Sequence, residues 1–218
     1  MPNFIFPPHD PVSLPIAGTD KRFPVRRIYC IGKNYAKHVK EMGGDVSRSE
    51  PIFFTKAPET IVQNGEDIPF PPNTSNLHHE VELVVAIGTD LEIFAYGVGI
   101  DLTRRDLQSQ AKEKGNPWSR AKNFSRSAPC SMLTEAKNVN LTKAHIVLRK
   151  NGDIVQFGCV SDMIWGVDEI IDRLKTDMDL RPGDLIYTGT PEGVGPVRVG
   201  DELSGGVEGL QRITVRFI

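Results

Sequence analysis

Glu80-Val81-Glu82-Leu83-Val84-Val85-Ala86-Ile87 is a run in which two glutamates alternate with, and then give way to, mostly β-branched apolar residues. Its composition predicts a strand over 81–87, the strongest strand signal in the chain. Side chains two apart on a strand project to one side. Glu80 and Glu82 therefore point together, with Val84 and Ala86 continuing their face and Leu83, Val85 and Ile87 on the other. Two carboxylates side by side at the head of an apolar strand repel one another unless something positive compensates. Hard oxygen ligands suit Mg²⁺ or Mn²⁺, with Ca²⁺ also admissible, rather than zinc. Taken alone, the Glu-x-Glu alternation fits an ordinary solvent-facing strand as well.

Outward from this run, residues 97–102 read as a second strand and 103–114 as a helix, opened by a Thr103-x-x-Asp106 pattern resembling a capping box. Asp101 then stands at a strand-to-helix junction. The small residues Gly97 and Gly99 before it permit close backbone approach, which makes Asp101 the candidate third carboxylate, although spacing does not establish the contact. Upstream, 27–31 reads as a strand and 34–42 as a short helix stopped by Gly43-Gly44, which sets His38 and Glu41 at i and i+3 on one face. An aromatic, β-branched strand at 51–56, turns at Asn151-Gly152 and Pro182-Gly183, and a helix at 167–175 complete the outline. The strands do not alternate with long helices, so the fold class is α+β, mainly β. The proline-rich residues 1–25 read as an extended N-terminal arm, and 26–218 as a single domain.

Composition narrows the partners. The 218 residues carry 26 basic and 28 acidic side chains, a formal charge of -2, which gives no field for nucleic acid or an anionic membrane. Cys30, Cys130 and Cys159 are too scattered for a disulfide framework or a zinc pair, which fits a reducing cytoplasm. The N-terminus does not read as a signal peptide, and no apolar stretch reaches the roughly 20 residues of a membrane span. The glycine-rich segment 189–195 lacks the Gly-Lys-Ser/Thr ending of a phosphate loop, so no nucleotide or organic cofactor is expected. A small-molecule partner remains.

The wider stretch Asn76-Leu77-His78-His79-Glu80-Val81-Glu82-Leu83 resembles the metal-binding segment of the fumarylacetoacetate hydrolase family. Further matches follow in Tyr29-Cys30-Ile31-Gly32-Lys33-Asn34-Tyr35-Ala36-Lys37-His38, Gly99-Ile100-Asp101-Leu102-Thr103-Arg104-Arg105-Asp106, Pro117-Trp118-Ser119-Arg120-Ala121-Lys122 and Tyr187-Thr188-Gly189-Thr190-Pro191-Glu192. The resemblance implies a mixed β-sheet rolled into a barrel-like structure with short helices, and a homodimer. It implies metal ligation by Glu80, Glu82 and Asp101, a catalytic His38-Glu41 pair, an active-site Lys122, and a substrate contact from Thr190. Arg105 and Gln108, one helical turn apart beyond Asp101, both fit the substrate side of the site. Without the resemblance, His38 beside Glu41 reads as a surface pair and Lys122 as a solvated lysine. The chain runs about ten residues short of such relatives between Gly88 and Tyr96.

Through the lead-in Arg22-Phe23-Pro24-Val25-Arg26-Arg27-Ile28-Tyr29 the chain resembles, within the family, acylpyruvate hydrolases, in particular the fumarylpyruvate hydrolases of aromatic compound catabolism. The implied reaction is metal-dependent hydrolysis of a carbon–carbon bond, by water attack and enolate stabilisation, giving pyruvate and a carboxylic acid. The competing expectations are an oxaloacetate decarboxylase or another 2-oxo acid lyase or hydratase, and a 2-oxo acid-binding protein with little turnover.

Overall fold

The computed structural model describes residues 3–43 and 50–218; Met1, Pro2 and Gly44, the second half of the expected Gly43-Gly44 stop, lie outside them. The Val81–Ile87 strand is buried along its whole length and sits inside a six-stranded sheet. Its neighbours are Ile93–Ile100, antiparallel, and Asp184–Tyr187, antiparallel. Arg27–Gly32 pairs parallel with Asp184–Tyr187, Ile52–Lys56 lies beyond it, and Thr134–Glu135 forms the opposite edge. A second sheet of five strands runs in the order Asp153–Cys159, His145–Lys150, Glu202–Val207, Ile213–Phe217 and Asp67–Ile68.

The unbroken apolar run is explained by burial on both faces. Val85 and Ile87 pack with Tyr29, Ile31 and Ile186 against Ile170, Ile171 and Leu174 of the helix Val167–Asp177. Val84 and Ala86 face the other way, onto Leu14, Ile16, Phe23 and Val25. These belong to the N-terminal segment, where Ser13–Pro15 and Arg22–Pro24 pair antiparallel. At the head of the strand, Val81 and Leu83 meet Ile146, Leu148, Leu203 and Val215 of the five-stranded sheet.

Both main sheets are open at their edges among the described residues, so the mainly β, α+β character is present while the barrel-like closure expected from the sequence is not seen. The short connection after Gly88 is a tight turn, with Asp90 and Leu91 in left-handed backbone (φ 59° and 60°). It closes the far end of the Val81–Ile87 and Ile93–Ile100 hairpin, opposite the end that bears Glu82 and Asp101.

One local expectation is overturned. Thr103 does not cap the following helix: Thr103–Arg104 is a two-residue strand paired with Leu77–His79, and the helix α2 begins at Arg105 (Arg105–Glu113). A buried ammonium from elsewhere in the chain claims the Thr103 hydroxyl, and Asp106 turns outward to Thr74 Oγ1 (2.7 Å) and Ser75 N (3.0 Å). Tertiary hydrogen bonding has outcompeted the local cap.

Candidate metal centre and active site

Glu80 lies in the one-residue break between the strands Leu77–His79 and Val81–Ile87, Glu82 within the latter, and Asp101 just past the end of Ile93–Ile100. The Asp101 N–H donates to Glu80 O (2.8 Å), which locks the two junctions together. Close approach depends on Gly99: a Cβ there would lie 2.6 Å from Val84 Cγ2 and closer still to the Tyr187 ring. As a result, Glu80, Glu82 and Asp101 each present an oxygen within 4.8 Å of the others, and all three are buried.

Three buried carboxylates need compensation. Lys122, at the end of the short helix Ser119–Lys122, supplies part of it, with Nζ 2.6 Å from Glu80 Oε2, 2.5 Å from Asp101 Oδ2 and 2.7 Å from Thr103 Oγ1. Arg105 Nη2 binds Glu80 Oε1. Lys56, wholly buried, stands 2.8 Å from Asp101 Oδ1 and donates to the Leu102, Lys122 and Ser127 carbonyls. Burial works against the Lys122 ammonium, yet Asp101 and Glu80 together hold it above the usual lysine range. Burial likewise opposes the Glu80 anion, but Lys122 and then Arg105 pull its carboxyl well below the ordinary value.

Among the described residues Glu82 has no such partner. It accepts the Gly189 N–H at 2.7 Å, while burial, then Asp101 and Glu80, push its carboxyl well above the usual range. Asp101 Oδ1 accepts no hydrogen bond although Lys56 faces it. An under-compensated glutamate and an all-oxygen donor set fit a hard divalent cation. These three residues can hold Mg²⁺ or Mn²⁺.

The triad opens onto a cavity of about 370 Å³, also lined by His38, Lys122, Arg105, Gln108 and Thr190. Glu41 stands behind His38 on the helix α1 (Ala36–Glu41): His38 Nδ1 lies 3.2 Å from Glu41 Oε2, and Glu41 Oε1 takes the Gly193 N–H at 3.0 Å. The fold thus brings all nine residues singled out in the sequence to one place. Arg105 Nη1 donates to Gln108 Oε1 (2.6 Å), leaving the Gln108 amide NH₂ as a donor. Thr190 Oγ1 accepts from Gln156 Nε2 (2.8 Å), which leaves its own hydroxyl proton for a ligand.

Sequence reasoning missed Lys56, Gln156 and Asn34. Lys56 ends an aromatic strand with nothing nearby in sequence to mark it as buried. Gln156, from the second sheet, joins His79 Nδ1 (3.0 Å), Val81 N (3.1 Å), Thr190 Oγ1 and Pro191 O. Asn34 ties its loop to Thr188 O (2.8 Å) and to both polar groups of the Trp165 backbone. The only local cue was the Gly32-Lys33-Asn34 turn composition.

Comparison with known proteins identifies the family. The family described as Fumarylacetoacetate (FAA) hydrolase C-terminal matches residues 27–218. A fumarylpyruvate hydrolase of Ralstonia sp is 43% identical over 186 residues, 80% of this chain and 97% of its own length. The mouse (Mus musculus) protein named oxaloacetate tautomerase FAHD1, mitochondrial, is 38% identical over 203 residues, 88% of this chain and 90% of its own. The crystal structure of fumarylpyruvate hydrolase from Pseudomonas aeruginosa in complex with Mn²⁺ and pyruvate superposes with a TM-score of 0.95 at 42% identity, covering 99% of each chain.

Proposed function

Because the chain belongs to the fumarylacetoacetate hydrolase family of enzymes, we propose that it hydrolyses an acylpyruvate, fumarylpyruvate first among them, to pyruvate and a carboxylic acid (fumarate). The observation that carries this reading is His38, backed by Glu41 and set in the wall of the cavity that holds the three carboxylates. A proton acceptor so placed suits a reaction in which water attacks.

A divalent cation held by Glu80, Glu82 and Asp101 would polarise the two adjacent oxygens of a bound 2-oxo acid. The chain's own groups do the rest. Glu41 fixes the proton on His38 Nδ1, so Nε2 takes a proton from water as its oxygen bonds to the distal carbonyl carbon. The tetrahedral adduct collapses, the carbon–carbon bond breaks, and its electron pair passes to pyruvate enolate. Lys122 and Arg105 supply fixed positive charge beside that anion. The proton held on His38 balances the enolate, which becomes pyruvate. The Gln108 amide and the Thr190 hydroxyl are donors for the substrate carboxylate.

Oxaloacetate chemistry is the second reading, supported by the mouse relative's name. Tautomerisation or decarboxylation of oxaloacetate would use the same enolate-stabilising charges without an attacking water. A 2-oxo acid-binding protein with little turnover would follow if the shortened stretch after Gly88 had damaged the site; that turn lies at the end of the hairpin remote from the carboxylates, which speaks against it.

The deciding assay follows pyruvate release from fumarylpyruvate, other acylpyruvates and oxaloacetate, and the keto–enol conversion of oxaloacetate, by purified protein with Mg²⁺ or Mn²⁺. The expected result is release from fumarylpyruvate ahead of the others. Intact acylpyruvates beside rapid conversion of oxaloacetate would sink the hydrolase reading and leave the second.

A further inference from the structure

Arg105, Gln108 and Lys112 are spaced i, i+3 and i+7 along α2, which places all three within a sector of about 60° on one helix face. All three line the cavity. Arg105 lies at its floor, paired with Glu80. Lys112 comes seven residues later, about 10 Å further along the helix axis, and is more exposed than the buried Arg105, which sets it toward the mouth. Its ammonium rests 5.2 Å from the centre of the Trp118 ring. Partial burial, followed by repulsion from Arg105 and Lys33, holds that ammonium below the usual lysine range. The acid that offsets this, Glu80, is already engaged by Lys122 and Arg105.

Lys33 lines the same cavity from the turn that follows the strand Arg27–Gly32. Its backbone is left-handed (φ 62°), a conformation a lysine adopts when its surroundings enforce it. The enforcement is visible next door, where the three hydrogen bonds of Asn34 clamp the turn to Thr188 and Trp165. The fold thus fixes the point from which Lys33 projects.

Charge counting assigns these lysines a task. At the floor, the three carboxylates are balanced by Lys56, Lys122 and Arg105. A dication there adds two positive charges, which the carboxylate and the enolate oxygen of a 2-oxo acid would match. A further carboxylate on the substrate finds no spare positive charge at the floor. Among the described residues, Lys33 and Lys112 are the lysines left in the cavity lining.

We propose that Lys33 and Lys112 form a second anion subsite at the cavity mouth, selecting acylpyruvates whose acyl arm ends in a carboxylate. This inference rests on the acylpyruvate reading of the site. Oxaloacetate cannot use the subsite, because its second carboxylate is one methylene from the 2-oxo carbon and stays at the floor.

The test compares kcat/KM for fumarylpyruvate, whose arm is anionic, with that for acetylpyruvate, whose arm is neutral, in Mn²⁺-loaded wild type, Lys33→Met, Lys112→Met and the double variant. The fumarylpyruvate-to-acetylpyruvate ratio should fall roughly tenfold for each charge-assisted hydrogen bond lost. The fall should appear mainly in KM, and Lys112→Arg should restore it. Calorimetric binding of fumarate against crotonate, which replaces one carboxylate by methyl, gives a readout independent of turnover. Wild type should prefer fumarate and the double variant should not. A fumarate preference without acylpyruvate hydrolysis would keep the subsite and remove the hydrolase reading. Hydrolysis with a ratio and a binding preference unchanged in the double variant would overturn the subsite alone.

Discussion

Glu41 holds His38 from behind: the two are one helical turn apart on α1, with 3.2 Å between Nδ1 and Oε2, and the Gly193 N–H anchors the other Glu41 oxygen at 3.0 Å. Removing the acceptor and removing its anchor should therefore differ in degree. His38→Ala is expected to lower kcat for acylpyruvate hydrolysis by about 10²–10⁴-fold. Glu41→Gln should cost less, roughly 10–100-fold, the range seen when a partner that orients an active group is lost. Steady-state kinetics on fumarylpyruvate decide this, and an undiminished kcat in His38→Ala would exclude the histidine as base.

Glu82 is the carboxylate with no cationic partner, so it should respond most to the metal. Chelation should abolish activity, and Mn²⁺ should restore it. Glu82→Gln should weaken Mn²⁺ binding beyond the roughly 10–100-fold typical of losing an outer partner. Titration calorimetry with Mn²⁺ measures this directly. Equal affinity in the variant would show that the cation sits elsewhere.

Lys56 offsets Asp101 and satisfies three backbone carbonyls in a place water does not reach. Lys56→Met leaves Asp101 with Lys122 as its remaining cation and deprives those carbonyls of their donor, a loss of about 3–5 kcal/mol in the metal-free protein. A cation binding Asp101 would offset part of that loss. Mn²⁺ should therefore raise the melting temperature of the variant by more than it raises that of the wild type. Scanning calorimetry with and without Mn²⁺ reads both quantities.

At Gly99 there is no room for a methyl group against Val84 and Tyr187. Gly99→Ala should destabilise the fold by about 1–3 kcal/mol, the usual cost of overpacking, and displace Asp101 two residues on. A lowered urea midpoint together with weaker Mn²⁺ binding is the expected pair of results.

Asp106 gives a pH signature. Burial raises its carboxyl, but hydrogen bonds from Thr74 Oγ1 and from the Ser75 and Leu107 amides outweigh this and lower it. A carboxyl lower in the folded than in the unfolded chain adds stability above its unfolded value, and that stability is lost as pH falls through the folded value. Asp106→Asn should cost about 1 kcal/mol near neutrality, as for a lost helix-end contact. The gap to wild type should then close on acidification. Urea melts at several pH values test it, and a gap that widens in acid would contradict the assignment.

Much of this was legible in the sequence because the relevant signals are local. The apolar run at 81–87 marked a strand, and its lack of alternation beyond Glu82 reflects burial on both faces. The i, i+3 spacing of His38 and Glu41 marked their contact. Asp101 was harder, since its approach to Glu80 depends on strand pairing that spacing alone does not reveal. Lys56 was invisible: its partners, Leu102, Lys122 and Ser127, lie 46, 66 and 71 residues away. Thr103 misled because a capping pattern describes only local competition, and a buried ammonium from 19 residues on won the hydroxyl.

The tight turn at 88–92 gives an experimental handle. Its tip, Thr89 and Asp90, is exposed, and the five strand residues Leu83 to Ile87 separate it from Glu82, the nearest carboxylate of the site along that strand, by about 20 Å. A fluorophore or an affinity handle grafted between these two residues would report on the molecule from a distance while leaving the chemistry alone, as exposed loop tips generally permit.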